Sequence, residues 1–496
     1  MRHVFLTSRL DADHGGLTAS LLRKAGTLQR HLGIEPTIAT FHDAVDFAGV
    51  ADAIRVRYDL PAAVRLVNIN HAYRARPAPA GAPPGGEALD RLCADLPEWE
   101  IRRMDDADRS PYAATVTSRG TPVRRVWFRA DGTIFEYRNL APGGLPADGA
   151  RGRAPYPGAE VVLDPLTPAE VRFKTMDGFR RHYMLDLCQD ALTYLVCEGR
   201  GLDKALIGLE SRFARKLFLF HSTHLRPDSE VVRVGNRALL AELGRADALV
   251  LLTPQQREDI AARFGFCDRL RVIPHAAAAA AGAADPIPGR VVMVARLSPE
   301  KDIAAAIRAF AQVARVRPDA SLEIWGDGPE EAHLRRLVQE LGLDGAVRLA
   351  GYAPGAAAAF AAAECSLLTS RWEGFPLTIM ESMAVGTPCV AFDVKYGPAA
   401  MIEHGVSGYL APARDEAALA ERLIGLLNAP PPAKRAMSQA ARERAEGFSE
   451  AALAERWAAL FESLRHPLAA RPHLVKRLWR RVPPGPRNRL GALLGV

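Results

Sequence analysis

Two carboxylates, Glu373 and Glu381, stand eight residues apart, with Gly374-Phe375-Pro376-Leu377 directly after the first. The run before them, Cys365 to Thr369, is largely apolar and reads as a buried strand; from Leu377 the spacing reads as a helix leading to Ala384. One carboxylate is therefore expected at the carboxyl end of a strand and the other about one turn into the next helix. Between them lie N–H groups of a helix start, which have no intrahelical acceptor and attract anions. A carboxylate for a sugar hydroxyl, amides for a diphosphate and a carboxylate for a ribose would together grip a nucleotide sugar.

Arg296 and Lys301 follow the apolar run Arg290 to Val294, so a strand delivers Arg296 to its carboxyl end and Lys301 to the start of the next helix. Two cations there could neutralise a diphosphate and stabilise it as a leaving group; a solvated charge cluster at a helix start is the competing reading. Gly326-Asp327-Gly328-Pro329 ends another strand with a turn that lets a ligand approach the backbone, although such glycines also simply make turns. His221-Ser222-Thr223-His224 ends the strand Lys216 to Phe220, where ligands of open α/β sheets bind. Gly15-Gly16, after the first strand, could admit a phosphate or an acceptor, or only turn the chain.

The elements that must position these residues form two βα series. Residues 3–8, a helix from Leu17 to about Leu32 and the strand Ile34 to Thr40 open the first. It breaks after about residue 60 and resumes at Thr193 to Cys197, Lys216 to Phe220 and Ala248 to Leu252. In between, two alternating runs, Val123 to Arg129 and Ile134 to Arg138, flank Asp131-Gly132, a hairpin signal. The second series starts at Arg290 and continues through Leu322 to Trp325, Val347 to Leu349, Cys365 to Thr369 and Pro388 to Phe392. The expected organisation is an acceptor-side domain (1–60 and 173–280), an inserted β-rich subdomain (61–172), a nucleotide-sugar domain (286–465) and a basic tail (466–496). The expected fold class is α/β, with two doubly wound domains facing across a cleft.

The chain has 496 residues, too many for one ordinary core, and is 48% hydrophobic and 24% charged, a globular composition. Its six cysteines show no paired spacing, which fits reduced, buried thiols in a cytoplasmic protein. The net charge is +7, yet eight Arg or Lys and no acid lie from Arg465 onward, leaving the rest near neutral. A near-neutral body argues against nucleic-acid binding. In the tail, Leu474 to Val482 interleaves Leu, Trp and Arg like a membrane-surface segment, with solvated disorder as the alternative. The first residues lack the apolar length of a signal peptide, and no stretch reaches transmembrane length.

Arg296, Lys301, Gly326-Asp327-Gly328-Pro329, the segment Glu373 to Glu381, Gly386-Thr387-Pro388 and Gly405 to Leu410 occur together in an order that resembles the retaining family 4 glycosyltransferases of GT-B fold, over about residues 285–465. Tyr396-Gly397-Pro398, Asp247 to Thr253 with Gln255-Gln256 and Asp259-Ile260, and the inserted region narrow the resemblance. They point to the branch of wall teichoic acid α-glycosyltransferases and accessory-Sec transferases of serine-rich adhesins. The resemblance implies that Glu381 holds the ribose, Glu373 a hydroxyl of the donor sugar, and Arg296 and Lys301 the diphosphate, helped by the amides of Gly374, Phe375 and Leu377 around Pro376. It places Gly326 at the donor site, Gly16 against the donor phosphate or acceptor, and His221 near the transferred sugar. It implies a UDP-sugar donor (UDP-glucose or UDP-N-acetylglucosamine), no metal and no cofactor, and a polymeric or serine-rich protein acceptor. The insert could bind a polymer or join copies of the chain, and the tail could meet the inner face of the cell membrane. A non-catalytic stabilising subunit is the rival, but such a protein should have lost the donor grip that is present here.

Overall fold

The computed structural model describes residues 1–10, 16–42, 47–103, 113–140, 160–277, 285–353 and 356–466. Gly15, the loop 143–158, most of the alanine-rich connector and the basic tail lie outside the described residues. The chain divides into two compact units, one of Met1–Leu219 with Val234–Ala248, the other of Phe220–Arg233 with Leu249–Ser463.

In the first unit, β1 (Arg2–Thr7), β2 (Thr37–Thr40) and β3 (Arg65–Asn68) are followed by an inserted series of six strands. These are β4 (Trp99–Arg103), β5 (Ala113–Ser118), β6 (Thr121–Phe128), β7 (Ile134–Asn139), β8 (Val161–Leu163) and β9 (Val171–Phe173). The main series then resumes with β10 (Thr193–Cys197) and β11 (Ala214–Leu219). The parallel sheet runs β3-β2-β1-β10-β11, and its winding reverses between β1 and β10. All five residues of β10 are buried, as expected of a strand covered on both faces.

The inserted strands pair antiparallel in sequence order. The β6–β7 turn forms where Asp131-Gly132 predicts it. Gly132 has φ +83°, and the Asp131 carboxylate accepts the Thr133 N–H at 2.9 Å. One face packs Ala114, Val116, Val126, Tyr137 and Val162 against Ala88, Leu89 and Leu92 of the helix Gly85–Leu92. On the other, Trp127 stands opposite Glu136, which forms a fully buried ion pair with Arg138. The Arg138 guanidinium lies 4.1 Å from the Trp127 ring centroid and 5.9 Å from that of Phe179.

In the second unit, β12 (Ala248–Leu251) and β13 (Leu270–Val272) pair in parallel, joined by the helix Pro254–Phe264 with Thr253 as its cap. A six-stranded parallel sheet follows: β14 (Ile287–Val294), β15 (Ser321–Trp325), β16 (Val347–Gly351), β17 (Ala363–Leu368), β18 (Cys389–Asp393) and β19 (Gly408–Pro412). Its order is β16-β15-β14-β17-β18-β19, so the winding reverses between β14 and β17. Val291, Met293, Leu322, Ile324, Cys365 and Leu367 pack there against Ile307, Phe310 and Val313 of the helix Ile303–Val316. The point where the winding reverses, at the carboxyl ends of the two central strands, is where open α/β sheets bind their ligands.

Candidate donor site

The loops that leave β14 and β17 carry the predicted cations and Glu373. They are stitched together: the Arg371 N–H donates to the Glu300 carbonyl at 2.9 Å, and the Thr369 hydroxyl to the carbonyls of Lys301 and Asp302 at 3.1 and 3.0 Å. Asp302 turns the chain into the helix from the left-handed region (φ +44°), and its carboxylate accepts Arg371 Nε at 3.1 Å. This frame brings Lys301 Nζ to 2.6 Å from Glu373 Oε1, an ion pair with the Glu373 side chain 10% exposed and that of Lys301 28% exposed. Arg296, two residues past β14, is exposed. Glu300 is raised by burial, but the Ser298 hydroxyl and the charges of Lys301 and Arg296 hold it below its ordinary range.

Two glycines let the loop after β15 press on the Arg296 loop. A Cβ on Gly326 would stand 1.9 Å from the Ala295 carbonyl oxygen, and one on Gly328 2.3 Å from that of Leu297. Next to Glu373, a Cβ on Gly374 would meet Ser222 Cα at 2.5 Å and the His221 carbonyl oxygen at 2.6 Å. Only glycine allows so close a backbone approach. Leu377 then opens the helix Leu377–Ala384, whose cap position, Pro376, makes no side-chain cap bond. The Ile379 N–H donates to the Pro376 carbonyl at 3.1 Å, and the N-terminal end of the helix favours an anion. Glu381 lies half-buried within this helix.

His221 joins the same unit, with Nδ1 3.4 Å from His275 Nε2 and the two rings stacked at 5.3 Å. His275 in turn meets the edge of Phe375, and Phe375 that of Phe448. Near Glu373, the buried ring of Tyr396 stacks on His224 at 6.0 Å, and its hydroxyl donates to Asp259 at 2.6 Å. The structure thus brings Lys301, Glu373, Gly374, Phe375, Pro376 and His221 together with Arg296 and Gly326 on adjoining loops. Gly16 belongs to the other unit, where it opens the helix Gly16–Leu32; Lys24 of that helix forms a buried ion pair with Glu198, just after β10. Sequence reading missed His275, which sits at the edge of an alanine-rich stretch, and the Asp259–Tyr396 pair.

Burial lowers His224 from 6.5 to about 4, its two neighbours Arg263 and Lys395 adding to the effect while Asp259 opposes it. Below pH 6.5 the unfolded chain takes up a proton that the folded one refuses until about pH 4, so stability is lost as pH falls through that window. The loss is on the order of 3 kcal/mol when complete. Melting temperatures measured at pH 7.5 and pH 5 are expected to differ more for the native chain than for His224→Gln; an equal drop in both would rule out His224 as the cause.

Residues 281–444 match the family described as Glycosyl transferases group 1. Among curated relatives, an exopolysaccharide phosphotransferase of Streptomyces coelicolor is 35% identical over 46% of this chain and 24% of its own length. The poly(glycerol-phosphate) alpha-glucosyltransferase of Bacillus subtilis is 24% identical over 63% of this chain and 48% of its own. The chain thus spans from about a quarter to about half the length of these two relatives. A crystal structure of a Staphylococcus aureus TarM mutant, in complex with Fondaparinux, alpha-GlcNAc-glycerol and UDP, superposes with a TM-score of 0.71 at 17% identity, over 93% of this chain and 100% of that one. The antiparallel insert expected within the first βα series is present. Residues 281–444 are a glycosyl transferases group 1 domain, and the chain has the GT-B fold.

Proposed function

We propose that this chain is a retaining glycosyltransferase that moves a hexose, glucose or N-acetylglucosamine, from a UDP-sugar to a polymeric acceptor such as a teichoic acid. The observation that carries the reading is the Lys301–Glu373 ion pair where the winding reverses, beside an uncapped helix start. In this reading Glu381 holds the ribose, the N–H groups of the 374–377 segment and the side chains of Arg296 and Lys301 hold the diphosphate, and Glu373 holds a sugar hydroxyl. Lys301 is aimed by Glu373 at the position where negative charge grows as the glycosidic bond breaks. Such preorganised charge costs no rearrangement at the moment of reaction.

Glu373 is an unsuitable nucleophile, because its Oε1 is occupied by an ammonium that lowers its tendency to attack. Retention is then best accounted for by front-face transfer. The acceptor hydroxyl approaches the anomeric carbon on the side the diphosphate leaves, and a departing phosphate oxygen takes its proton. Catalysis rests on positioning and on leaving-group stabilisation. His221 is assigned to the transferred sugar and Gly16 to the donor phosphate or acceptor.

The acceptor reading draws on the B. subtilis relative, whose name specifies poly(glycerol-phosphate). Among the described residues no helix is long and apolar enough to cross a membrane. The tail, residues 466–496, is assigned to an anionic partner, either the inner membrane face or the acceptor itself, and the insert to acceptor binding or to contact between copies of the chain. The deciding experiment is a hydrolysis screen of UDP-glucose and UDP-N-acetylglucosamine, followed by mass analysis with poly(glycerol phosphate), poly(ribitol phosphate) and a serine-rich polypeptide. Anionic vesicles are added to the full chain and to a chain lacking 466–496. Transfer to a polyol phosphate is the expected outcome. Transfer to the polypeptide alone replaces the acceptor, and no hydrolysis of either donor supports a non-catalytic subunit instead.

A further inference from the structure

We infer that Tyr396, held by Asp259, is a positioning residue for the Glu373 carboxylate. This deepens the donor-site reading and rests on Glu373 holding the sugar. Glu373 and the pair Lys395–Tyr396 are joined by a short backbone ladder: the Glu373 N–H donates to the Lys395 carbonyl at 3.2 Å, and the Tyr396 N–H to the Glu373 carbonyl at 2.8 Å. With both of its backbone hydrogen-bonding groups tied to this pair, Glu373 cannot shift unless Tyr396 shifts with it.

Tyr396 is itself anchored from a distant part of the chain. Its side chain is fully buried, its ring lies nearly parallel to His224 (12°), and its hydroxyl donates to Asp259 Oδ2 at 2.6 Å. Asp259 also accepts Lys395 Nζ at 2.9 Å. Burial raises Asp259, but these two donors outweigh it and keep the carboxylate below its ordinary range, so it is an acceptor at neutral pH. A buried phenol whose partner is removed must either move or bear the cost of an unpaired hydroxyl.

The helix carrying Asp259 makes a second linkage to the same loop. Gln256, one turn earlier, is fully buried and donates its amide to the Ser222 carbonyl at 3.0 Å. The Ser222 backbone is what Gly374 rests against. The helix Pro254–Phe264 therefore reaches residue 373 through Asp259 and Tyr396, and residue 374 through Gln256 and Ser222. Gly397, at φ +109°, completes the arrangement, since a Cβ there would stand 2.5 Å from Pro376 Cδ. Two linkages from one helix fix both the position and the direction of the loop. Displacements well under 1 Å are enough to degrade such a site, roughly the 0.5 Å tolerance of a preorganised constellation.

The test separates sugar binding from nucleotide binding. Affinities of the full-length chain for UDP, UDP-glucose and UDP-N-acetylglucosamine are measured by calorimetry for the native protein, Tyr396→Phe, Asp259→Ala, Glu373→Gln and Tyr396→Phe combined with Glu373→Gln. For whichever sugar nucleotide binds more tightly than UDP, Tyr396→Phe and Asp259→Ala are each expected to lose about 5- to 10-fold, with UDP affinity unchanged. The combined variant is expected to bind that donor no more weakly than Glu373→Gln alone, because both changes act on one interaction. Equal loss for UDP and for the sugar nucleotide, no loss in either variant, or additive losses in the combined one would overturn the proposal while leaving Glu373 in its role. Native donor affinity in Glu373→Gln would instead overturn the donor-site reading, and this proposal with it. Asp259→Ala leaves the buried ring in place and keeps the test valid should Tyr396→Phe fold poorly.

Discussion

Lys301→Met is expected to lower turnover at saturating UDP-sugar by about 100- to 1,000-fold, the scale seen when one preorganised donor to a developing charge is removed. Two effects add in the same direction. In the proposed role of Lys301 the departing diphosphate loses a cation, and Glu373, nine-tenths buried, loses the ammonium 2.6 Å from its Oε1. An acid left without its partner in such a place is costly and rotates toward water if it can. Lys301→Arg, which keeps the charge but not the single-point geometry, is expected to recover only part of the rate. Because the two side chains form one unit, Lys301→Met combined with Glu373→Gln should be far less impaired than the product of the single losses. Turnover of the Met variant within a few-fold of native, measured by UDP release in the presence of acceptor, removes Lys301 from the mechanism.

The second large effect concerns stability. Gly326→Ala is expected to lower the melting temperature by about 5 °C or to abolish soluble expression, because a side chain forced into such a backbone region costs about 1–3 kcal/mol and the clash adds to it. The new methyl would stand 1.9 Å from the Ala295 carbonyl oxygen, and the backbone at φ +144° is one that L side chains rarely adopt. The flexible end of a side chain could move aside, but a carbonyl bonded into the Arg296 loop cannot. Gly345→Ala is the control, since a Cβ there meets nothing within 4 Å and the backbone is ordinary. If both variants melt with the native chain, the tight apposition of the two loops is wrong.

What could be read from the chain follows from distance along it. β10 and the second half of β14, Val291 to Met293, are legible because they are buried on both faces, leaving short apolar runs. The same burial hides parts of the insert: the first four residues of β5, Ala113 to Val116, are all buried, which erases the alternation that would mark a half-exposed strand. β8 reads as a strand from its apolar Val161-Val162-Leu163, whereas β9, also of three residues, is too short for any period to show. Glu373, Glu381, Arg296 and Lys301 stand out because each lies at a fixed offset from a strand end. Their contacts do not: Lys301 and Glu373 are 72 positions apart, and Tyr396 and Asp259 are 137 apart. A side-chain bond over such a separation leaves no local pattern. His275 adds a second reason, since its partner His221 is 54 positions away.

The buried Glu136–Arg138 pair bears on how this chain can be engineered. Arg138 reaches out of the inserted sheet to Phe179 on the helix Met176–Cys188 and to Asn70 at 3.4 Å on the helix Ile69–Arg74. Cutting out β4 to β9 would strip Phe179 of its covering cation, and grafting them elsewhere would carry two charges and the Trp127 ring into water. The insert is therefore no interchangeable cassette: a transplant that hopes to keep its shape must bring the helix Met176–Cys188 along.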